Sequence, residues 1–299
     1  MSTITAPKTT RTLQGQAKPR RRRPRREHTL HPAVWLFVVA VMGFSLVPFY
    51  WLINTSLKKG SALGQGELFP SQPTLENYIS VFRNGDFLLA LRNSVIIAVV
   101  TTLVALVFAS FAAYALARLK MRRKALILTL ILSVTTFPAI AIAAPLFSIW
   151  RQIGLYDTLP GLIIPKLTFA LPLAIYTLTS FFRDIPRELE ESAYMDGASP
   201  FTAFRKIILP LAVPGLATTA ILVFISVWNE FLLAVTLTSS PAARPVPVAI
   251  AFFNGTSEFD QPLGTISAAS VIITIPLVIL VLVCQKRIVS GMTAGAVKG

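Results

Sequence analysis

PRELEESAYMDGASPFTAFRKIILP, residues 186–210, is a polar stretch set between two long apolar runs. Its residues predict two short helices hinged at Gly197 rather than a loose loop. Pro186 suits the first helical position, where its missing N–H costs nothing, and Asp184 stands just upstream as a cap. Glu188, Glu190 and Glu191 then fall in the first turns, where the helix dipole favours negative charge. Leu189 and Ala193 lie one turn apart, and Ser192 and Ala193 are small enough for another surface to approach closely. Gly197 supplies the positive φ that ends a helix, and Ser199-Pro200 restarts one with serine as N-cap and proline at the first position. Phe201, Phe204 and Ile208 form an apolar stripe that can lie on a membrane, and Pro210 marks the start of the next apolar run. A short, capped element tethered at both ends is shaped to be gripped by something else. The residues by themselves also admit an ordinary helical loop.

The flanking runs set the fold class. Hydrophobic residues make up 54% of the chain and charged residues 14%, too apolar for an ordinary soluble domain. Uncharged runs at Ala33–Leu52, Ser94–Ala117, Ala125–Trp150, Ile207–Asn229 and Gln261–Gln285 reach or exceed the roughly 20 residues that cross a bilayer as a helix. Leu167–Phe182 is shorter but extends upstream if Lys166 snorkels to the interface. The expectation is an all-α polytopic membrane protein with six transmembrane helices, over about 33–53, 94–117, 125–150, 161–182, 209–231 and 263–285. The segment 184–208 lies between the fourth and fifth. The domain layout is a disordered basic tail over 1–32, the membrane domain over 33–285 and a C-terminal tail over 286–299. Continuous apolar runs do not suit alternating barrel strands.

Charge gives an orientation. Segments 1–32, 118–124, 183–206 and 286–299 hold nine, five, four and three Lys/Arg; segments 53–93, 151–166 and 230–260 hold four, two and one. Lys and Arg collect on the cytoplasmic side of membrane spans, so both termini and the 184–208 segment are expected there. Arg20–Arg23 with Arg25 and Arg26 abut the first span and read as a membrane flank in contact with lipid, with no nucleic acid as partner. The first apolar run is a full span without a small-residue cleavage site, which argues against a removable signal.

The outer segments are distinct. After the turn-rich Phe69-Pro70-Ser71-Gln72-Pro73, residues Leu75, Tyr78, Ile79 and Phe82 follow helical spacing behind Thr74 as N-cap. Such a helix either lies at the outer interface or packs on the spans. The loop from Pro241 to Pro262 holds too many prolines for a seventh helix and is long enough to reach a partner or ligand.

Several chemistries are missing. One cysteine, Cys284, allows no internal disulfide, and His28 and His31 both precede the first span, so no histidine catalytic or metal site lies within the membrane. There is no phosphate-cradling Gly-x-x-x-x-Gly-Lys-Ser/Thr, no His-Glu-x-x-His and no Gly-x-Ser-x-Gly. The chain is expected to be non-catalytic. Glu230 stands close to the interior of a span, where charge is costly and often functional. It either lines a pathway, titrates with a transported proton, or pairs with Asn229 or a neighbouring helix to fix packing.

Glu191-Ser192-Ala193, Asp196-Gly197-Ala198, and Phe204, Ile207, Leu209 and Pro210 resemble the EAA motif of permease subunits in bacterial ABC importers. Serine replaces the usual alanine at Ser192. Pro73-Thr74-Leu75-Glu76-Asn77-Tyr78, Asn93-Ser94, Trp228-Asn229-Glu230-Phe231 and Gly291-Met292-Thr293-Ala294-Gly295-Ala296-Val297-Lys298-Gly299 resemble the carbohydrate-uptake branch. Leu155-Tyr156-Asp157-Thr158 and Phe169-Ala170-Leu171-Pro172-Leu173-Ala174-Ile175-Tyr176 are similar to disaccharide permeases of the trehalose and maltose type. The resemblance implies the type I ABC importer permease fold, in a bacterial cytoplasmic membrane. It implies as partners a second, different permease, two copies of a cytoplasmic ABC ATPase and an extracytoplasmic sugar-binding protein. No cofactor is expected on this chain; ATP and Mg are used by the ATPase subunits. Glu190, Glu191, Ser192, Ala193, Met195, Asp196, Gly197 and Ala198 are the expected ATPase-coupling residues. Sugar sites combine aromatic faces with hydrogen-bonding side chains; Trp228, Asn229, Glu230, Asn254, Gly255 and Ser257, with Phe252 and Phe253 nearby, are the expected substrate-path residues. The competing expectations are a proton-coupled secondary transporter using Glu230 and a membrane anchor without a pathway.

Overall fold

The computed structural model describes residues 32–59, 63, 66–253 and 262–296, with side chains as far as Cys284. Of the expected tail 1–32, residues 1–31 lie outside the described residues, as do Asn254, Gly255 and Ser257, and Pro32 already belongs to the first helix. Among the described residues the regular structure is helical throughout. The helices are α1 Pro32–Ser56, α2 Glu76–Arg83, α3 Gly85–Arg118, α4 Lys124–Ser133, α5 Ala139–Gln152, α6 Leu159–Asp184, α7 Glu188–Met195, α8 Pro200–Ala203, α9 Leu209–Leu211, α10 Val213–Trp228, α11 Leu232–Leu237, α12 Val246–Ala251 and α13 Leu263–Ala296. The chain divides into two units, residues 1–47 and 48–299. The first holds the opening turns of α1, and the packing described below belongs to the second.

The core is built on α3 and α6, which pack extensively on one another, with α10 lying across both. Asn84 caps α3, its side chain accepting from the N–H groups of Asp86 at 3.0 Å and Phe87 at 3.3 Å. Ala98, Ala105, Ala109 and Ala113 are fully buried along α3, against a cluster that includes Leu162, Leu178 and Phe182 of α6. Small residues let membrane helices approach closely, so that dispersion contacts do the work that water exclusion does in a soluble core.

Among the described residues four helices are long and apolar enough to cross a bilayer, and taking each of two bent pairs as one span brings the number to six. The third and fifth spans are therefore not the uninterrupted helices expected from hydropathy. Helical residues 124–136 and α5 meet at 81° because Pro138 forces Phe137 out of the helical region, to φ −71° and ψ 128°. Residues 200–211 and α10 meet at 73°. The bend falls at Ala212, and the proline that opens the span is Pro214, not Pro210. Pro210 instead follows a π-helical turn over Phe204–Ile208. α13 continues past residue 285 to Ala296, through most of the expected tail.

The segments expected outside are, where described, more ordered than their proline content suggested. Pro247 lies in the first turn of the short helix α12, where proline is tolerated; six residues cannot span a membrane. Asn93, fully buried in α3, donates its amide to the carbonyls of Pro241, Ala242 and Arg244 at 3.0–3.2 Å. Neighbouring Ser94 accepts from the N–H of Val246 at 2.8 Å. Asp157, at φ 56°, accepts from the N–H groups of Ser239 at 3.0 Å and Ser240 at 3.1 Å. Burial pushes its carboxyl up, but the hydrogen bonds from Ser240 and Ser239 together hold it below the usual carboxylate value. In α2, Val81 is buried while Leu75, Ile79 and Phe82 stay exposed. Thr74 accepts from the N–H of Glu76 at 3.2 Å, although the N-cap position itself is Leu75.

Gly161 marks the tightest approach. A Cβ there would sit 1.9 Å from the Leu155 carbonyl oxygen and 2.9 Å from Thr158 Oγ1, while the Gly161 carbonyl accepts the Trp150 indole N–H at 2.6 Å. Gly161→Ala should cost about 1–3 kcal/mol through overpacking, read as a lower thermal unfolding midpoint of the purified protein.

Candidate coupling site

The polar handle is placed by a chain of local causes. Pro186 disfavours helix at the residue before it, so α6 ends at Asp184 and Ile185 is extended at φ −73° and ψ 128°. α7 starts at Glu188 after Arg187, two residues later than expected, with no side-chain cap. It ends as expected. Gly197 takes φ 83°, the Gly197 N–H reaches the Tyr194 carbonyl at 3.0 Å and the Ala198 N–H reaches Ala193 at 2.9 Å, a paired helix-ending motif that needs a left-handed residue. Ser199 then caps α8, accepting from the N–H of Thr202 at 3.2 Å.

The side chains of α7 divide into two sets. Glu190 and Ala193 turn inward, at 6% and 7% exposure. Glu188, Leu189, Glu191, Ser192, Met195 and Asp196 face out, and Met195 is 89% exposed. The Glu190 carboxylate pairs with Arg118 Nε at 3.2 Å and accepts from the hydroxyls of Tyr194, at 2.7 Å, and Tyr114. Burial and the hydrogen bond to Glu190 raise the Tyr194 phenol above its usual value, keeping it a donor. Arg118 also donates to the Ile185 carbonyl at 2.8 Å. Glu190 is therefore an internal anchor and not part of the outward face, and Ala193 packs within the chain rather than against an outside surface.

The second half of the handle is anchored on the same helix. Phe204 is 4% exposed, with its ring 4.8 Å from Tyr114, 5.4 Å from Phe111 and 6.4 Å from Phe182. Ile208 is fully buried, whereas Phe201 remains 60% exposed. The expected membrane-facing stripe is thus split, because Phe204 and Ile208 serve the core.

Of the expected substrate-path residues, Trp228, Asn229 and Glu230 are described, and each takes a different environment. Trp228 is buried and stacks on Phe224 at 5.5 Å. Asn229 is exposed, with its amide donated back to the Ile225 carbonyl at 2.9 Å. Glu230 meets Lys166 at 2.6 Å. Lys166 is 3% exposed and does not snorkel: its ammonium also reaches the carbonyls of Val227 and Glu230, both at 3.3 Å. The second Glu230 oxygen accepts from the N–H of Leu233 at 2.6 Å. The pair closes the carbonyl end of α10 and caps the start of α11. Lys166, Phe169, Ser226 and Glu230 border a pocket of about 230 Å³ beside Ala139, where the third span bends.

Residues 105–294 match the family described as binding-protein-dependent transport system inner membrane component. The chain belongs to that family. It is 53% identical to the trehalose transport system permease protein SugB of Mycobacterium tuberculosis, over 87% of this chain and 94% of the relative. It is 42% identical to the trehalose/maltose transport system permease protein MalG of Thermococcus litoralis, over 85% and 92% of the two chains. Its fold matches the crystal structure of a bacterial ABC transporter involved in the import of the acidic polysaccharide alginate, with a TM-score of 0.70 and 28% identity over 85% of this chain and 96% of that one. The architecture is that of a type I ABC importer permease.

Four residues that organise this permease had no motif to announce them. Arg118 and Tyr114 stood in an apolar run and its basic edge, Lys166 looked like an interfacial lysine, and Asn93 carried only a resemblance. The signal available for Arg118 was position: Phe111, Tyr114 and Arg118 share one face of α3 at helical spacing.

Gly197 has open space around it, so backbone conformation alone restricts what can replace it. Gly197→Asn, which tolerates the left-handed region, should retain substrate-stimulated ATPase turnover of the assembled importer. Gly197→Val, strained by about 1–2 kcal/mol, should lose most of it. Breaking the Lys166–Glu230 pair by Lys166→Met should cost about 3 kcal/mol in thermal denaturation of the purified protein. Lys166→Met with Glu230→Gln together should recover part of that loss, since no unpaired charge is left behind.

Proposed function

We propose that this chain is the permease subunit through which an ATP-driven importer passes a disaccharide, with trehalose as the first candidate and maltose the second. The observation that carries the proposal is the α7–Gly197–α8 handle, with its inner face locked by Glu190 and its outer face free. Leu189 and Met195 give that face adaptable apolar contact, and Glu188 and Glu191 give it negative charge. It suits a groove with apolar walls and a basic rim on an ATPase subunit. Two such subunits would close on binding ATP and Mg, displace the handle and turn the pathway outward; this chain would hold no nucleotide.

The relatives named for trehalose and maltose transport support the choice of sugar, and a solved relative concerned with alginate import supports carbohydrate cargo more broadly. A separate binding protein would deliver the sugar, and a second, different permease would complete the pathway. The handle and both termini would lie in the cytoplasm, in keeping with the Lys/Arg distribution. Glu230 serves packing in this scheme. Its Lys166 counter-charge and its role as cap to α11 leave little reason to assign it a transported proton.

The test is the purified complex with its ATPase subunits, second permease and binding protein in lipid nanodiscs. ATPase turnover is expected to rise with trehalose-loaded binding protein, more than with maltose-loaded protein. Uptake driven by a pH gradient in vesicles holding this chain alone, without any sugar-dependent ATPase response, would overturn the assignment.

A further inference from the structure

We propose that Asn93 is a positioning residue that makes the outer loop travel with α3, so that α3 and α6 link the cytoplasmic handle to the outer face. The proposal rests on the permease function above and adds a transmission route to it.

The inner end of the route is fixed at three points. Glu190 holds α7 to Arg118, Arg118 holds the Ile185 carbonyl at 2.8 Å, and Phe204 sits on the rings of Phe111 and Tyr114. Both halves of the handle are therefore fastened to one face of α3. The helix then runs without a break from Arg118 to Asn93, about 38 Å at 1.5 Å per residue. Its buried alanine face keeps it against α6, so the two helices form a stiff pair.

At the other end Asn93 uses one amide to hold three loop carbonyls, those of Pro241, Ala242 and Arg244, and Ser94 holds the N–H of Val246. These bonds are directional and buried. The loop also touches α13, where Val246 packs with Ala268, Ala269 and Ile272, but those contacts are apolar and non-directional and allow sliding. Asp157, in the loop that opens α6, grips the same outer loop through Ser239 and Ser240. When α3 and α13 move relative to one another, the loop is tied by hydrogen bonds to the α3–α6 pair and follows it. Coupling between distant sites needs such a contiguous element, biased from both ends.

The loop leads into α12, Val246–Ala251. A loop that moves with α3 reports the state of the ATPases to whatever docks outside, and by linkage reports docking back to them.

The experiment uses the assembled complex in nanodiscs and reads two turnovers per complex: basal, and with trehalose-loaded binding protein. The wild type sets their ratio. Asn93→Ala is expected to keep basal turnover within about two-fold while the ratio falls at least five-fold. Ser94→Ala, which removes one acceptor, is expected to lower the ratio less and serves as the variant to read if Asn93→Ala does not assemble. A merely structural asparagine would lower both turnovers in proportion. A ratio equal to the wild type, whether or not both turnovers drop, overturns the proposal. A wild-type complex that does not respond to loaded binding protein at all overturns the assigned function, and this route with it; a responsive wild type with an unchanged variant ratio overturns the route alone.

Discussion

A carboxylate removed from water must find its partners inside the protein or lose its charge, and Glu190 is where that constraint organises this molecule. Arg118 supplies the opposite charge, while Tyr114 and Tyr194 supply donors. Those partners come from the end of α3 and from the helix that bears the carboxylate, so satisfying them fixes how α7 is rotated. With Glu190 and Ala193 inward, helical geometry places Glu188, Glu191, Ser192 and Met195 outward. The outward face of α7 is thus a consequence of an internal bond. Arg118 extends the same network to the Ile185 carbonyl, which satisfies backbone at the point where α6 gives way to the handle. The value of the network lies less in net stability, since buried ion pairs gain little over apolar packing, than in making a single orientation affordable to the chain.

The remaining buried polar groups obey the same logic. Inside a bilayer every free backbone N–H and C=O needs a partner, so a helix can break only where side chains take over. Lys166 takes the carbonyl end of α10, and Glu230 takes the N–H end of α11. Asn93 and Ser94 do the same for the turn over residues 241–245 and the first residue of α12. Each pin serves an interruption, Asn93 and Lys166 doing so from within the continuous helices α3 and α6. Glu230, which reads along the sequence as a costly charge near a span, and Lys166, which reads as an interfacial lysine, are in the fold the means by which an interruption is tolerated.

What could be read in the sequence was what local chemistry decides. Gly197, Ser199 and Pro200 act on their own backbone, and the hinge and second cap formed where their residue types placed them. The apolar runs located the spans because hydropathy is additive along the chain. The bends at Phe137 and Ala212 were missed because a hydropathy window counts apolar residues and is blind to Pro138 and Pro214, whose effect is geometric. Resemblance groups Glu190 with the coupling residues, and a glutamate in a first turn satisfies the helix dipole in either rotation; Arg118, 72 positions away, and Tyr114 decide between them. Lys166 was read by its distance from the start of a run, whereas its place is set by carbonyls some sixty residues later. Tertiary partners of this kind leave no trace in spacing.

The distribution of proline then separates the chain into parts of different stiffness. α3 contains none among its 34 residues, and it is the helix to which the handle and the outer loop are both pinned. α6 carries Pro165 and Pro172 yet stays one helix, supported along its length by the alanine face of α3. The third and fifth spans, by contrast, bend at Phe137–Pro138 and at Ala212, by 81° and 73°. Changes of shape in packed proteins concentrate at element ends, where a few dihedrals absorb the difference. The α3–α6 pair, each helix continuous, bears both attachment points and stands beside two spans that already depart from straightness, so the stiff and the bent parts of the chain are separate elements.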